Sequence, residues 1–163
     1  MNLKYIDYFT HEENVSLNRL KQMLYLADWF NCLKYDSKLT NFEYKFEYNL
    51  IDAKGIYKLL AYDNDLTYKE GNILKVKNSG IKYEYNENEL EILNFVKEKT
   101  KDKYGMELLE YTYSSYPISA PYRNLILDLE KIAREYLLTE CNKQSIACKK
   151  ELENIEQNNS FSR

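Results

Sequence analysis

The segment "LNRLKQMLYLADWFNCLK", Leu17 to Lys34, constrains this chain more than any other, because its apolar residues recur at helical spacing on two neighbouring stripes. Leu17, Leu20, Leu24 and Ala27 make one stripe, and Met23, Leu26, Phe30 and Leu33 the other. A helix with so wide an apolar face packs on two sides, so a central helix is expected, with Ser16 capping its first amides. Asp28 falls at the margin of that face, beside Trp29 and one turn after Tyr25. An unpaired carboxylate in a core costs several kcal/mol. Asp28 is therefore expected to accept hydrogen bonds from backbone amides or a tyrosine hydroxyl, pinning the helix against the "YSSYPI" turn at Tyr113 to Ile118. The alternative is that Tyr25, Asp28 and Trp29 open onto a groove that receives a partner.

Elsewhere the pattern alternates between periods. "NFEYKFEY", Asn41 to Tyr48, reads as a strand with one buried face, followed by a short helix over Asp52 to Leu60 that Asp52 caps. "LTYKEGNILKVKN" has two β-patterned arms around Glu70-Gly71-Asn72, the turn chemistry of a hairpin, and "GIKYEY" offers a third strand. From Glu87 the helical period returns through Leu90, Ile92, Leu93, Phe95 and Val96, ending in the charged run "KEKTKDK" before Gly105. Met106, Leu109 and Tyr113 predict a shorter helix closed by Pro117. After Pro121 a last amphipathic helix carries Leu125, Leu129, Ile132, Ala133 and Tyr136 on one side.

The tail differs in kind. Leu138, Cys141, Ser145, Cys148, Leu152 and Ile155 draw a thin apolar seam along an otherwise polar helix. Such a seam does not sustain a helix in water by itself, so it lies against its own domain, a second copy of the chain or a foreign protein.

Composition narrows the chemistry. The 163 residues, with 44% hydrophobic and 30% charged side chains, suit one globular domain with an appendage. The net charge of −3 gives no basic field to draw nucleic acid. No apolar run approaches the ~18 residues of a membrane span, and "MNLKYIDYFTHEEN" lacks the apolar core of a signal peptide, so a cytoplasmic protein is expected. The three cysteines, Cys32, Cys141 and Cys148, are then reduced thiols. The single histidine, His11, has no second ligand at helical spacing, and four glycines supply no phosphate-cradling loop. No catalytic residue, cofactor or metal is expected. The 17 tyrosines are the compositional outlier; rigid rings with a polar tip suit protein interfaces, and AT-rich coding produces the same bias without selection for contacts.

Four segments occur in an order that resembles the Panacea (SocA-like) antitoxin domain of bacterial mobile elements and prophages: "LNRLKQMLYLADWF", "LTNFEYKFEY", "ENELEILNFVKEKTKDKYGMELLEYTYSSYPI" and "LDLEKIAREY". The resemblance spans about Val15 to Tyr136, carried by the helix at Leu17 to Trp29, "TNFEYKF" at Thr40 to Phe46, the segment Leu109 to Ile118 and "LDL" at Leu127 to Leu129. It departs where members carry Gly-Pro, since Leu50-Ile51 stands there and Asn49 would have to supply the turn. The resemblance implies a compact, mainly helical α+β domain that binds and neutralises a protein toxin, with no catalysis.

The expectation is thus a single mainly helical α+β domain at 1–137 with a small antiparallel sheet, and a helical extension at 138–163. Tyr25, Asp28, Trp29, Tyr113, Tyr116 and Pro117 on the domain, with Leu138, Cys141, Cys148, Leu152 and Ile155 on the seam, are the candidate contacts to a toxin. The seam also offers a route to a homodimer. The rivals are a mobile-element protein that blocks a host defence component, and an enzyme, which a polar pocket with convergent carboxylates would favour.

Overall fold

Ser16 accepts the Arg19 amide at 3.3 Å and starts the central helix α2, Leu17–Tyr35, in a computed structural model that describes residues 2–47, 50–61, 66–118, 125–141 and 143. Asp36 ends α2 in the left-handed region, φ 54°, where a short polar side chain is tolerated, and returns its amide to Cys32 O at 3.1 Å. Both predicted stripes of α2 face protein, and only Phe30 and Leu33 among them are half-buried.

Around α2 stand α1 (Leu3–Thr10), α3 (Ile56–Ala61), α4 (Glu87–Thr100), α5 (Gly105–Tyr113) and a final helix α6 over residues 129–141. The strands are β1 (Val15–Ser16), β2 (Glu43–Glu47), β3 (Leu50–Lys54), β4 (Thr67–Glu70), β5 (Ile73–Val76) and β6 (Ile126–Leu127). They form two antiparallel three-stranded sheets, β1-β5-β4 and β3-β2-β6, where one small sheet was expected. The fold is α+β and mainly helical. The hairpin turn is as the sequence predicts: Glu70 pairs with Ile73, and Gly71 takes φ 60° between them.

Several expectations are corrected. Asp52 caps no helix; it sits in β3 opposite Lys45, because Ile51 and Ala53 alternate into the core at strand period and Gly55, φ 96°, delays α3 by one turn. Leu50-Ile51, the site of the departure from Gly-Pro, begins that strand, while Asn49 lies outside the described residues. "GIKYEY" is no strand. Asp7 holds the preceding Ser79 amide at 2.8 Å and Tyr85 OH donates to Lys4 O at 2.6 Å, which ties this segment to α1, and β1 takes the third place on β5 instead.

The last helix starts later than predicted. Ile126 and Leu127 pair with Lys45 and Tyr44 of β2, leaving Leu125 exposed, and Asp128 caps α6 through the Lys131 amide at 3.1 Å. On α5 the buried residues are Leu108 and Thr112, not Met106, which is exposed, while Leu109 and Tyr113 are half-buried. Leu90 and Phe95 of α4 likewise lie outside the buried face formed by Ile92, Leu93 and Val96. α6 runs without a break across the expected boundary at 137/138.

Candidate functional site

Asp28 and Tyr25 leave α2 in different directions and fix it to two different segments. Oδ1 of Asp28 accepts the Leu39 and Thr40 amides at 2.7 and 2.8 Å, and Oδ2 accepts the hydroxyls of Thr40 and Tyr44, the latter at 2.7 Å. Burial pushes the Asp28 carboxyl above the usual carboxylate range, against the lowering pull of the Thr40 and Tyr44 hydrogen bonds and of Lys38. Burial, together with the Asp28 charge, pushes the Tyr44 phenol far up as well. Asp28 therefore pins α2 to the Leu39–Tyr44 segment, not to the "YSSYPI" turn. Tyr25 makes the contact with that turn. The proton of Ser115 Oγ is spent on Thr112 O at 2.6 Å, so the Tyr25 hydroxyl is the donor in its 2.7 Å contact with Ser115 Oγ.

Asp28 and Tyr25 are both 0% exposed, so neither opens onto a groove. Trp29 does. With Leu26, Phe30 and Leu33 of α2 it floors a trough of about 440 Å³ walled by Tyr111 and Tyr113 of α5, the turn Ser114 to Tyr116, and Tyr136 of α6. Edge-to-face packing sets these rings: Trp29 to Tyr136 at 6.0 Å and 62°, Phe30 to Phe95 at 5.0 Å and 84°, and Phe46 to Tyr113 at 5.0 Å and 84°. Tyr116 lies tilted on Tyr136 at 4.9 Å. Among the described residues, none that lines the trough is charged. Burial raises the Tyr111 phenol above its ordinary value.

Of the predicted contacts, the trough gathers Trp29, Tyr113 and Tyr116. Pro117 is buried in the 3-10 turn Tyr116–Ile118 behind them. Leu138 (66% exposed) and Cys141 stand on α6. Two residues beyond Tyr136, Leu138 points about 200° away from it, so the start of the seam faces away from its own domain. Cys148, Leu152 and Ile155 lie outside the described residues. Tyr111, Ser114, Ser115 and Tyr136 were not foreseen as site residues; the crowding of "YTYSSY" was the available signal.

A second, larger groove of about 610 Å³ runs between α1, the segment Asn78 to Tyr85, and α4, and contains His11. The two carboxylates among its described lining residues are both engaged, Asp7 with the Ser79 amide and hydroxyl and Glu12 with Lys97 at 2.7 Å. Among the described residues no three His, Cys, Asp or Glu side chains are grouped to hold a metal, and no helix is long and apolar enough to cross a membrane. Burial pushes the Cys32 thiol up to about 12, which leaves it inert. Compared with protein-family models, curated proteins and solved structures, the chain has no match.

Proposed function

We propose that this chain is an antitoxin of the Panacea (SocA-like) kind that neutralises a cognate protein toxin by stoichiometric binding, with the aromatic trough as its principal contact surface. The observation that carries the reading is the trough itself. Trp29, Phe30, Tyr111, Tyr113, Tyr116 and Tyr136 line it with large rings and no charge among them, the composition that dominates binding energy at protein interfaces. The order of the segments in the resemblance supports the same reading, since three of the four contribute to the trough: "LNRLKQMLYLADWF", the "YTYSSYPI" end of the third, and "LDLEKIAREY" through Tyr136.

The deciding experiment is co-expression with each neighbouring open reading frame, scored for rescue of growth and for co-purification. One small toxic partner should co-purify at a fixed ratio, and replacing exposed Ser114 by Arg at the trough wall should abolish rescue while the protein stays folded. Turnover of a small substrate by the purified chain, with no partner captured, would overturn the proposal.

A further inference from the structure

Resting on the reading of the trough as the partner site, we infer that Tyr25, supported by Arg19 and Gln22, is a positioning residue for that site: buried itself, it sets through its hydroxyl where the α5 wall stands. The three side chains leave α2 at i, i+3 and i+6, so they form one row along a face of the helix. Each reaches α5 or its flanks at a different point. The Arg19 guanidinium donates to Lys103 O and to Thr100 O, the latter at 2.9 Å, and so fixes the chain just ahead of Gly105, where α5 begins. Gln22 Oε1 lies 3.1 Å from the Thr112 hydroxyl in the last turn of α5, and Tyr25 donates to Ser115 Oγ at 2.7 Å just beyond it. Leu26, Trp29 and Leu33 continue the row at helical spacing as trough floor. One face of α2 therefore holds the wall with its first half and floors the trough with its second.

Polar contacts carry weight here because α5 buries little. Only Leu108 and Thr112 of its nine residues are buried, Tyr104 at its start supplies no side-chain cap, and a helix of that length does not sustain itself in water. The three contacts are not equal. Thr112 has one hydroxyl proton, and Leu108 O at 2.8 Å competes for it with Gln22 Oε1 at 3.1 Å. The Tyr25 bond is shorter, comes from a residue with no exposed surface, and so dominates. Ser115 is the joint at which it acts. Its Oγ donates to Thr112 O at 2.6 Å and its carbonyl accepts the Ile118 amide at 3.2 Å, which links the end of α5 to the 3-10 turn that carries Tyr116. Tyr113, Ser114, Ser115 and Tyr116, all of which line the trough, stand within two positions of that joint.

Amide hydrogen exchange of the full chain, read by mass spectrometry on peptides of α2, α5 and β2, tests the role of Tyr25. Tyr25→Phe keeps the ring and removes only the hydroxyl. It should speed exchange of the 108–116 amides about fivefold and leave the slow amides of α2 and β2 within about twofold of the wild type. Ser115→Ala, which strands the buried Tyr25 hydroxyl without its acceptor, should loosen the same amides at least as much. In co-expression with the toxin open reading frame, Tyr25→Phe should weaken rescue although its side chain reaches no partner. An equal rise across all slow amides would make the bond merely structural, and no rise in α5 would make it idle; either overturns the inference. If Ser114→Arg abolishes rescue while Tyr25→Phe, its α5 loosened, rescues fully, the trough remains the partner site and the positioning role fails. If Ser114→Arg leaves rescue intact, the reading beneath both fails.

Discussion

The Tyr44 hydroxyl donates to Oδ2 of Asp28 at 2.7 Å, joining the first strand of one sheet to the middle of the central helix. With the Thr40 hydroxyl and two amides the carboxylate receives four donors and has no solvent contact. Replacing Asp28 by Asn turns an acceptor into a donor facing the Thr40 and Tyr44 hydroxyls. The variant should lose roughly 1–3 kcal/mol, read as a fall in melting temperature and in the urea midpoint. Tyr44→Phe should cost less, and the double variant less than the sum of the two, because both remove the same bond. An Asp28→Asn protein as stable as the wild type would show that the network is idle.

The network also marks where sequence reading succeeded and where it stopped. That Asp28 must be satisfied follows from its position on an apolar helix, and amides with a tyrosine hydroxyl were the expected donors. Which segment supplies them was not legible, because Leu39, Thr40 and Tyr44 reach Asp28 through a chain reversal after Asp36 that no periodicity reports. The same holds for α6, whose start was placed too early. Ile126 and Leu127 fit a helical stripe in sequence, and pairing with β2, a tertiary event, takes them out of it. Trp29 was legible as a site residue only together with two buried neighbours, since period alone does not say which side of a wide stripe remains open.

Glu89 gives the molecule an acid-sensitive joint. Burial raises its carboxyl, but Lys4 at 2.6 Å, the Tyr5 hydroxyl at 2.6 Å and the Asn86 amide at 3.0 Å more than reverse this, so its folded value lies below the ordinary one. A depressed carboxyl contributes stability that is complete above the unfolded value, about 4.3, and disappears as pH falls through the folded one. Glu89→Gln keeps the reciprocal cap with Asn86 and loses the charge. The stability difference between wild type and variant should therefore be constant from pH 8 to about 5.5 and shrink below about pH 4.5, measured by urea unfolding at each pH. A difference that grows on acidification would reverse the sign and refute the assignment.

Lys21 is a buried ammonium, its side chain 6% exposed, held by Asp52 at 3.0 Å and by the Tyr57 hydroxyl at 2.8 Å. Lys21→Met replaces it with an apolar chain of similar length. That change should be nearly neutral, within about 1 kcal/mol, whereas Asp52→Ala leaves the charge short of its carboxylate and should cost more. Chemical denaturation of the two variants ranks them directly, and the opposite ranking would mean that the ion pair itself stabilises the fold.

The two cysteines of known setting should part company in a thiol assay. Cys32 is buried with its thiol raised by burial, and Cys141 is exposed on α6. In a Cys148→Ser background one thiol should react with an aromatic disulfide reagent in the native state and a second only after unfolding.

The outward start of the seam sets up the last test. Leu138 and Cys141 project away from the domain, whereas Tyr136, on the same helix, closes the trough. Deleting Leu138 to Arg163 removes none of the described residues of the core or the trough wall, and the shortened chain should melt cooperatively near the full-length temperature. If the seam carries part of the partner contact, the shortened chain should fail to neutralise the toxin while still melting cooperatively. Unaltered neutralisation would assign the whole of recognition to the trough and leave the exposed leucine and cysteine of α6 without a role in it. Loss of cooperative melting would instead show that the helix beyond Leu137 holds the domain together, and Leu138→Glu in the full chain, which leaves the core untouched, would then decide whether the seam touches the partner.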